Sequence, residues 1–130
     1  MGPQISLACS KLIGKTYQEM DCWVAVSHFY KIAFGVDLGI NYDTTPDPET
    51  TQMMVRSNIG KFEKIEKPIP GDLMLIKIRG IESHIGVYLS PTTFFHSLKE
   101  TGVAIERLAK WEKLVVGFYR LQNWTACDSN

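Results

Sequence analysis

The second half of this chain is a series of short segments rich in β-branched and aromatic residues, each set off by turn residues. The segments are Leu73–Ile78, Ile85–Leu89, Thr93–Ser97, Val103–Arg107 and Leu114–Leu121. Pro70-Gly71-Asp72, Arg79-Gly80, Ser90-Pro91 and Thr101-Gly102 punctuate them, which is the pattern of strands joined by tight turns. Links this short favour antiparallel pairing, because a parallel crossover takes about a dozen residues or more. The first half has a different period. Ile5, Ala8, Cys9 and Leu12 fall at helical spacing within Gln4–Ile13, with Gly14 as a stop. Cys22–Phe34 reads as a second helix, capped by Asp21 and ended by Gly35, with Val26, Phe29, Tyr30 and Ala33 at three- and four-residue steps. A polar loop, Asn41–Pro48, follows, and Glu49–Ser57 is expected to be a short helix. Helices first and strands after them predict an α+β domain, its N-terminal helices packed on an antiparallel sheet of about five strands.

A length of 130 residues suits one domain, 1–130, with residues 122–130 expected as a mobile polar tail. Lys and Arg balance Asp and Glu at 14 each, which argues against a nucleic-acid partner. No run approaches the roughly 18 apolar residues of a membrane span, so no membrane partner is expected. The opening residues lack a basic stretch followed by an apolar run, so synthesis in the cytoplasm without a signal peptide is expected. The three cysteines, Cys9, Cys22 and Cys127, are odd in number and match no zinc-finger spacing. Cys9 lies on the apolar stripe of the first helix and is expected in the core.

Cys22 stands in the first turn of its helix. Unpaired N–H groups and the helix dipole favour an anion there, which tends to lower a thiol pKa. The same N–H groups suit an oxyanion. The histidines are His28, His84 and His96. His28 points about 120° away from Cys22 on one helix and reads as a surface or structural residue. His84 opens the strand HIGVYL, and His96 lies in the next, FFHSL. A hairpin about Ser90–Thr92 puts the two imidazoles opposite each other or nearly so, within reach on one face. A second histidine can then fix the tautomer of the first. Cys22, His84 and His96 also make a conceivable zinc ligand set, with Glu82 and Asp72 as the spare carboxylates.

The order of these motifs (Asp-Cys-Trp at a helix start, Pro-Gly-Asp-Leu before a strand, Ser-His-Ile-Gly-Val-Tyr, then Phe-Phe-His-Ser) resembles the NlpC-type papain-like cell-wall peptidases from about Ile5 to Leu121. DCW and the closing GFYRL resemble phage tail-associated members. The resemblance implies catalytic Cys22, His84 and His96 as nucleophile, base and orienting group. It implies Tyr17 and Ser83 as oxyanion- or substrate-lining residues, and Asp72 as a turn residue. Two features depart from the family. Only Gln18–Asp21 separate Tyr17 from Cys22 where a longer Gly-rich loop is usual, and Val24 stands where glycine is usual.

The implied function is a thiol peptidase that cuts amide bonds in peptidoglycan stem peptides, with no metal and no organic cofactor. The implied partners are peptidoglycan stems and phage tail proteins. The alternatives are a non-catalytic structural or assembly component of a phage tail with the same fold, and a papain-like amidase or acyltransferase on another substrate.

Overall fold

The computed structural model describes residues 3–38 and 61–121. The expected loop Asn41–Pro48, the expected helix Glu49–Ser57, the tail 122–130 and Cys127 lie outside these residues. Helix α1 spans Pro3–Leu12 and α2 spans Cys22–Phe34. The strands are β1 (Phe62–Ile65), β2 (Leu73–Ile78), β3 (Ile81–Ser90), β4 (Thr93–Leu98), β5 (Gly102–Arg107) and β6 (Val115–Leu121). They form one antiparallel sheet in the order β1-β6-β2-β3-β4-β5. The sheet therefore has six strands where about five were expected. The additional strand, β1, is a four-residue edge piece, FEKI, with two charged residues, and edge strands of that composition carry little period-two signal.

Helix α2 begins and ends where the sequence places it. The Asp21 side chain accepts from the Val24 N–H, and Gly35 takes a left-handed conformation at φ 70°, as a helix stop requires. Its inner face, with Trp23, Val26, Phe29 and Tyr30, is buried against the sheet with Leu73, Leu75, Ile85, Val87 and Phe95. Each large apolar side chain buried there contributes roughly 1.5–3 kcal/mol. Cys9 lies in this core, as expected.

Alternate residues of the same strands face the other way. Met74, Ile76, Tyr88 and Phe94 make a second, smaller cluster. Leu108 and Trp111, from the pair of 3₁₀ turns between β5 and β6, pack on it. Covering both faces explains why β2 reads as an unbroken apolar run, LMLI, rather than an alternating one.

Strand β3 starts earlier than the expected Ile85. Arg79 (φ 52°) and Gly80 (φ 80°) are both left-handed, and Ile78 pairs with Ile81 across them. A two-residue turn with both φ values positive matches the twist of a hairpin, so pairing runs up to the turn. His84 is thus the fourth residue of β3, inside the strand rather than at its mouth.

Candidate active site

Three elements meet at the candidate site: the N-terminus of α2, the middle of β3, and β4 beside it. The short segment before α2 is a self-capped turn. The Thr16 N–H donates to Glu19 Oε1 at 2.9 Å, the Glu19 N–H to Thr16 Oγ1 at 3.2 Å, and the Met20 N–H to the Thr16 carbonyl at 2.8 Å. This is a capping box, T-Y-Q-E. Ser97 Oγ of β4 donates to the Met20 carbonyl at 2.5 Å and ties the turn to the sheet. So although the loop is short, it holds Tyr17, half-buried, within electrostatic reach of Cys22 and Asp21. Burial, then Cys22, Asp21 and Glu100, keep the Tyr17 hydroxyl well above the ordinary phenol pKa. It is therefore a hydrogen-bond donor at neutral pH.

Cys22 is the first residue of α2 and only 3% exposed. Its thiol takes the backbone N–H of Ile85, with further help from the N–H groups of Trp23 and Cys22. These contacts favour the thiolate, as the helix position suggests. Burial outweighs them, and the Asp21 carboxylate adds to it. The thiol is pushed up to about 12 rather than lowered. The expectation of a lowered thiol pKa therefore fails in this state, because burial of the sulfur outweighs the N–H groups around it and the N-cap that starts the helix adds a negative charge beside it.

His84 and His96 meet directly. His84 Nε2 and His96 Nδ1 are 2.9 Å apart. In the register of β3 and β4, His96 pairs with Gly86 rather than with His84, so the two histidines are diagonal neighbours on one face. Gly86 makes this possible. A Cβ there would stand 2.7 Å from the Phe95 carbonyl oxygen and 3.3 Å from His96 Cβ. Both histidines are buried, at 4% and 0% exposure. Burial first, then His96, pushes His84 down to about 3, which leaves it an uncharged base across the neutral range.

Sequence reasoning missed two neighbours. His96 Nε2 lies 2.7 Å from Glu106 Oε2 of β5. Trp111 sets its ring edge-on to His96, at 5.1 Å between centroids, and at 6.3 Å from His84. The register of β4 and β5 puts Glu106 opposite Phe94 and so on the same face as His96. The parity of a hairpin about Gly102 is the signal that points to it. Trp111 comes from the turns beyond β5, and no local pattern signals its position.

The structure thus brings His84 and His96 together and sets Cys22 against the backbone of the residue after His84. Among the described residues, no hydrogen bond joins the thiol to the His84 ring, and the bond that ring makes runs to His96. Ser83 is half-buried and hydrogen-bonds the Ile81 carbonyl at 3.4 Å. His28 is exposed. Asp72 belongs to the turn before β2. Its Oδ2 accepts from the Ile69 N–H at 2.7 Å, and Arg120 clamps the carboxylate at 2.9 and 2.8 Å. The zinc alternative loses its geometry, since the histidine nitrogens point at each other and Asp72 is taken by Arg120. No cluster of metal-ligating side chains occurs among the described residues.

The sequence profile of the NlpC/P60 family matches residues 11–120. No curated protein sequence matches the chain significantly. Several solved structures share the fold. The NlpC/p60 domain of peptidoglycan hydrolase SagA is 16% identical with a TM-score of 0.61, over 94% of this chain and 98% of that one. A Bacillus cereus NlpC/P60 family protein is 19% identical with a TM-score of 0.63, over 91% of this chain and 39% of that one. A Staphylococcus aureus protein similar to lipoprotein, of the NLP/P60 family, is 19% identical with a TM-score of 0.61, over 91% of this chain. The chain spans 40% of the length of that S. aureus protein. With the profile covering most of the chain, and with the helix-borne cysteine and paired histidines in place, the chain belongs to the NlpC/P60 family.

Proposed function

We propose that the chain is a cysteine peptidase that hydrolyses amide bonds in peptidoglycan stem peptides, with Cys22 as nucleophile, His84 as base and His96 as the group that orients the base. One observation carries this reading. The thiol sits at a helix N-terminus against the backbone N–H of Ile85, the residue after His84, and the buried His84 imidazole has its Nε2 already engaged by a second imidazole. That leaves His84 Nδ1 for the thiol proton. As Sγ attacks the scissile carbonyl carbon, the proton passes to Nδ1. The C–N bond then breaks, the leaving amine takes the proton from His84, and a thioester remains. His84 next deprotonates a water, which attacks the thioester and releases the carboxylic acid and the thiol. The N–H groups at the start of α2 and the Tyr17 hydroxyl are the donors available to the developing oxyanion, with Ser83 bordering the substrate. Family membership and the fold shared with the domain of a peptidoglycan hydrolase support the choice of substrate.

The test is digestion of purified peptidoglycan, with the released fragments identified by mass spectrometry. Wild-type protein is expected to open a bond within the stem, and Cys22→Ala to open none. Folded wild-type protein that leaves stems intact but cleaves a simpler amide or transfers an acyl group would move the reading to an amidase or acyltransferase.

A second reading is favoured by the depth of the thiol, 3% exposed, and by Val24 two residues on from it. In it the domain is a non-catalytic component of a phage tail. The tail setting itself, proposed for either reading, rests on the resemblance of DCW and GFYRL to tail-associated members. Infectious particles assembled with Cys22→Ala decide between the two. Undiminished entry through the cell wall supports the structural component, and a loss of entry supports the enzyme.

A further inference from the structure

We propose that Glu106 is a positioning residue for the candidate nucleophile–base pair: through His96 it selects the one tautomer of His84 that presents a bare Nδ1 to the thiol. The proposal rests on reading Cys22 and His84 as nucleophile and base.

The chain of donors and acceptors runs in one direction. A carboxylate only accepts hydrogen bonds. At 2.7 Å from Glu106 Oε2, His96 Nε2 must carry the hydrogen. A neutral imidazole has a single N–H, so His96 Nδ1 is a lone pair. That lone pair lies 2.9 Å from His84 Nε2, which must therefore be the protonated nitrogen of His84. Nδ1 of His84 is then the unprotonated one, free to accept. Burial keeps His96 below the ordinary histidine range, against the opposing pull of Glu106, so the single N–H assignment holds at neutral pH. The groups facing His96 are few. From β3 it meets His84 and from β5 Glu106, while Phe94 on its own strand and Trp111 present only rings.

Among the described residues Glu106 is the one carboxylate bonded to this pair, and its side chain is 22% exposed, so it is not a free edge-strand charge. When His84 takes up the thiol proton, the same relay leaves a negative charge two hydrogen bonds away from the new imidazolium. An amide in place of the carboxylate changes the logic without changing the shape. In the Glu106→Gln protein the side-chain NH₂ can donate to His96 Nε2, His96 Nδ1–H can then donate to His84 Nε2, and His84 Nδ1 acquires the hydrogen. In that arrangement the base is switched off, whereas an amide turned to accept through Oε1 keeps the wild-type tautomer, so the loss is partial.

The experiment combines two readouts on the whole protein. Long-range ¹H–¹⁵N NMR of the histidine rings in wild type is expected to show Nε2–H tautomers for both His84 and His96, and Glu106→Gln is expected to bring in Nδ1–H forms. Glu106→Gln should also slow His84-dependent alkylation of Cys22 by on the order of 10-fold, short of the roughly 10⁴-fold seen where a triad histidine is locked in the wrong tautomer. Glu106→Asp, which keeps the acceptor-only character, should restore most of the rate. Wild-type tautomers of the opposite kind overturn the proposal. So does a Glu106→Gln protein with unchanged tautomers and unchanged rate while His84→Ala still slows alkylation. An alkylation rate indifferent to His84→Ala overturns the catalytic reading instead, which separates the two failures.

Discussion

Cys22 and His84 are both held neutral, the thiol pushed up to about 12 and the imidazole down to about 3, and burial is the main cause in each case. This has a consequence for stability. In the unfolded chain His84 binds a proton near the ordinary histidine pKa of about 6.5, whereas the folded protein refuses it until about 3. The unfolded state therefore binds more protons between those values, so stability rises with pH there and is lost as pH falls through that window. The melting temperature is expected to drop progressively below about pH 6.5, and to drop less in a His84→Gln protein. Equal pH dependence of the two would show that another group governs acid unfolding. At this scale the sequence was partly legible. The parity of the β3–β4 hairpin put the two histidines on one face, but the register is set by Gly86 opposite His96. Glu106 was hidden because it reaches His96 only through the register of a second hairpin.

Among the elements, the β2–β3 hairpin is the one whose turn is least well matched to its residues. Arg79 is the one non-glycine residue with positive φ among the described residues. An L-residue there costs roughly 1–2 kcal/mol relative to its right-handed form. Arg79→Asn gives the Asn-Gly pair that this turn type prefers. The variant is expected to be more stable by about 0.5–1 kcal/mol, measured by chemical denaturation. A variant that is less stable would mean that the arginine side chain contributes more than its backbone costs. Helix α2 was legible to the residue, because Asp21 and Gly35 mark its ends chemically. Strand β1 was not, because a four-residue edge with Glu63 and Lys64 becomes a strand only by pairing with β6.

For the whole molecule, one hydrogen-bonded latch joins parts distant in the chain. Asp72 holds its own turn and takes Arg120 of β6 in two bonds, and the Tyr30 hydroxyl of α2 donates to the neighbouring Gly71 carbonyl at 2.6 Å. Gly71 itself is locked under Phe34, whose ring would lie 2.5 Å from a Cβ there. Asp72→Asn is expected to cost about 2 kcal/mol, or roughly 8 °C in Tm for a chain of this size. The reactivity of Cys22 per folded molecule should stay unchanged, since the latch lies away from the histidine relay. A large loss of Cys22 reactivity without a stability change would place Asp72 in the site after all. The α+β architecture followed from where the helical period gives way to β-rich segments. The second core under Trp111 did not, because it depends on the turns between β5 and β6 folding back over the sheet.

The working partnership of Cys22 and His84 is tested most directly by the rate of Cys22 alkylation at neutral pH, with Cys9 and Cys127 replaced by serine, in proteins with and without His84→Ala. With the imidazole in place to take the proton, the thiol is expected to label at neutral pH even though burial holds it up to about 12. Without the imidazole, the rate is expected to fall by on the order of 10²-fold, the low end for a positioned base. A folded protein whose Cys22 labels equally fast in both forms, or does not label at all, would contradict the account.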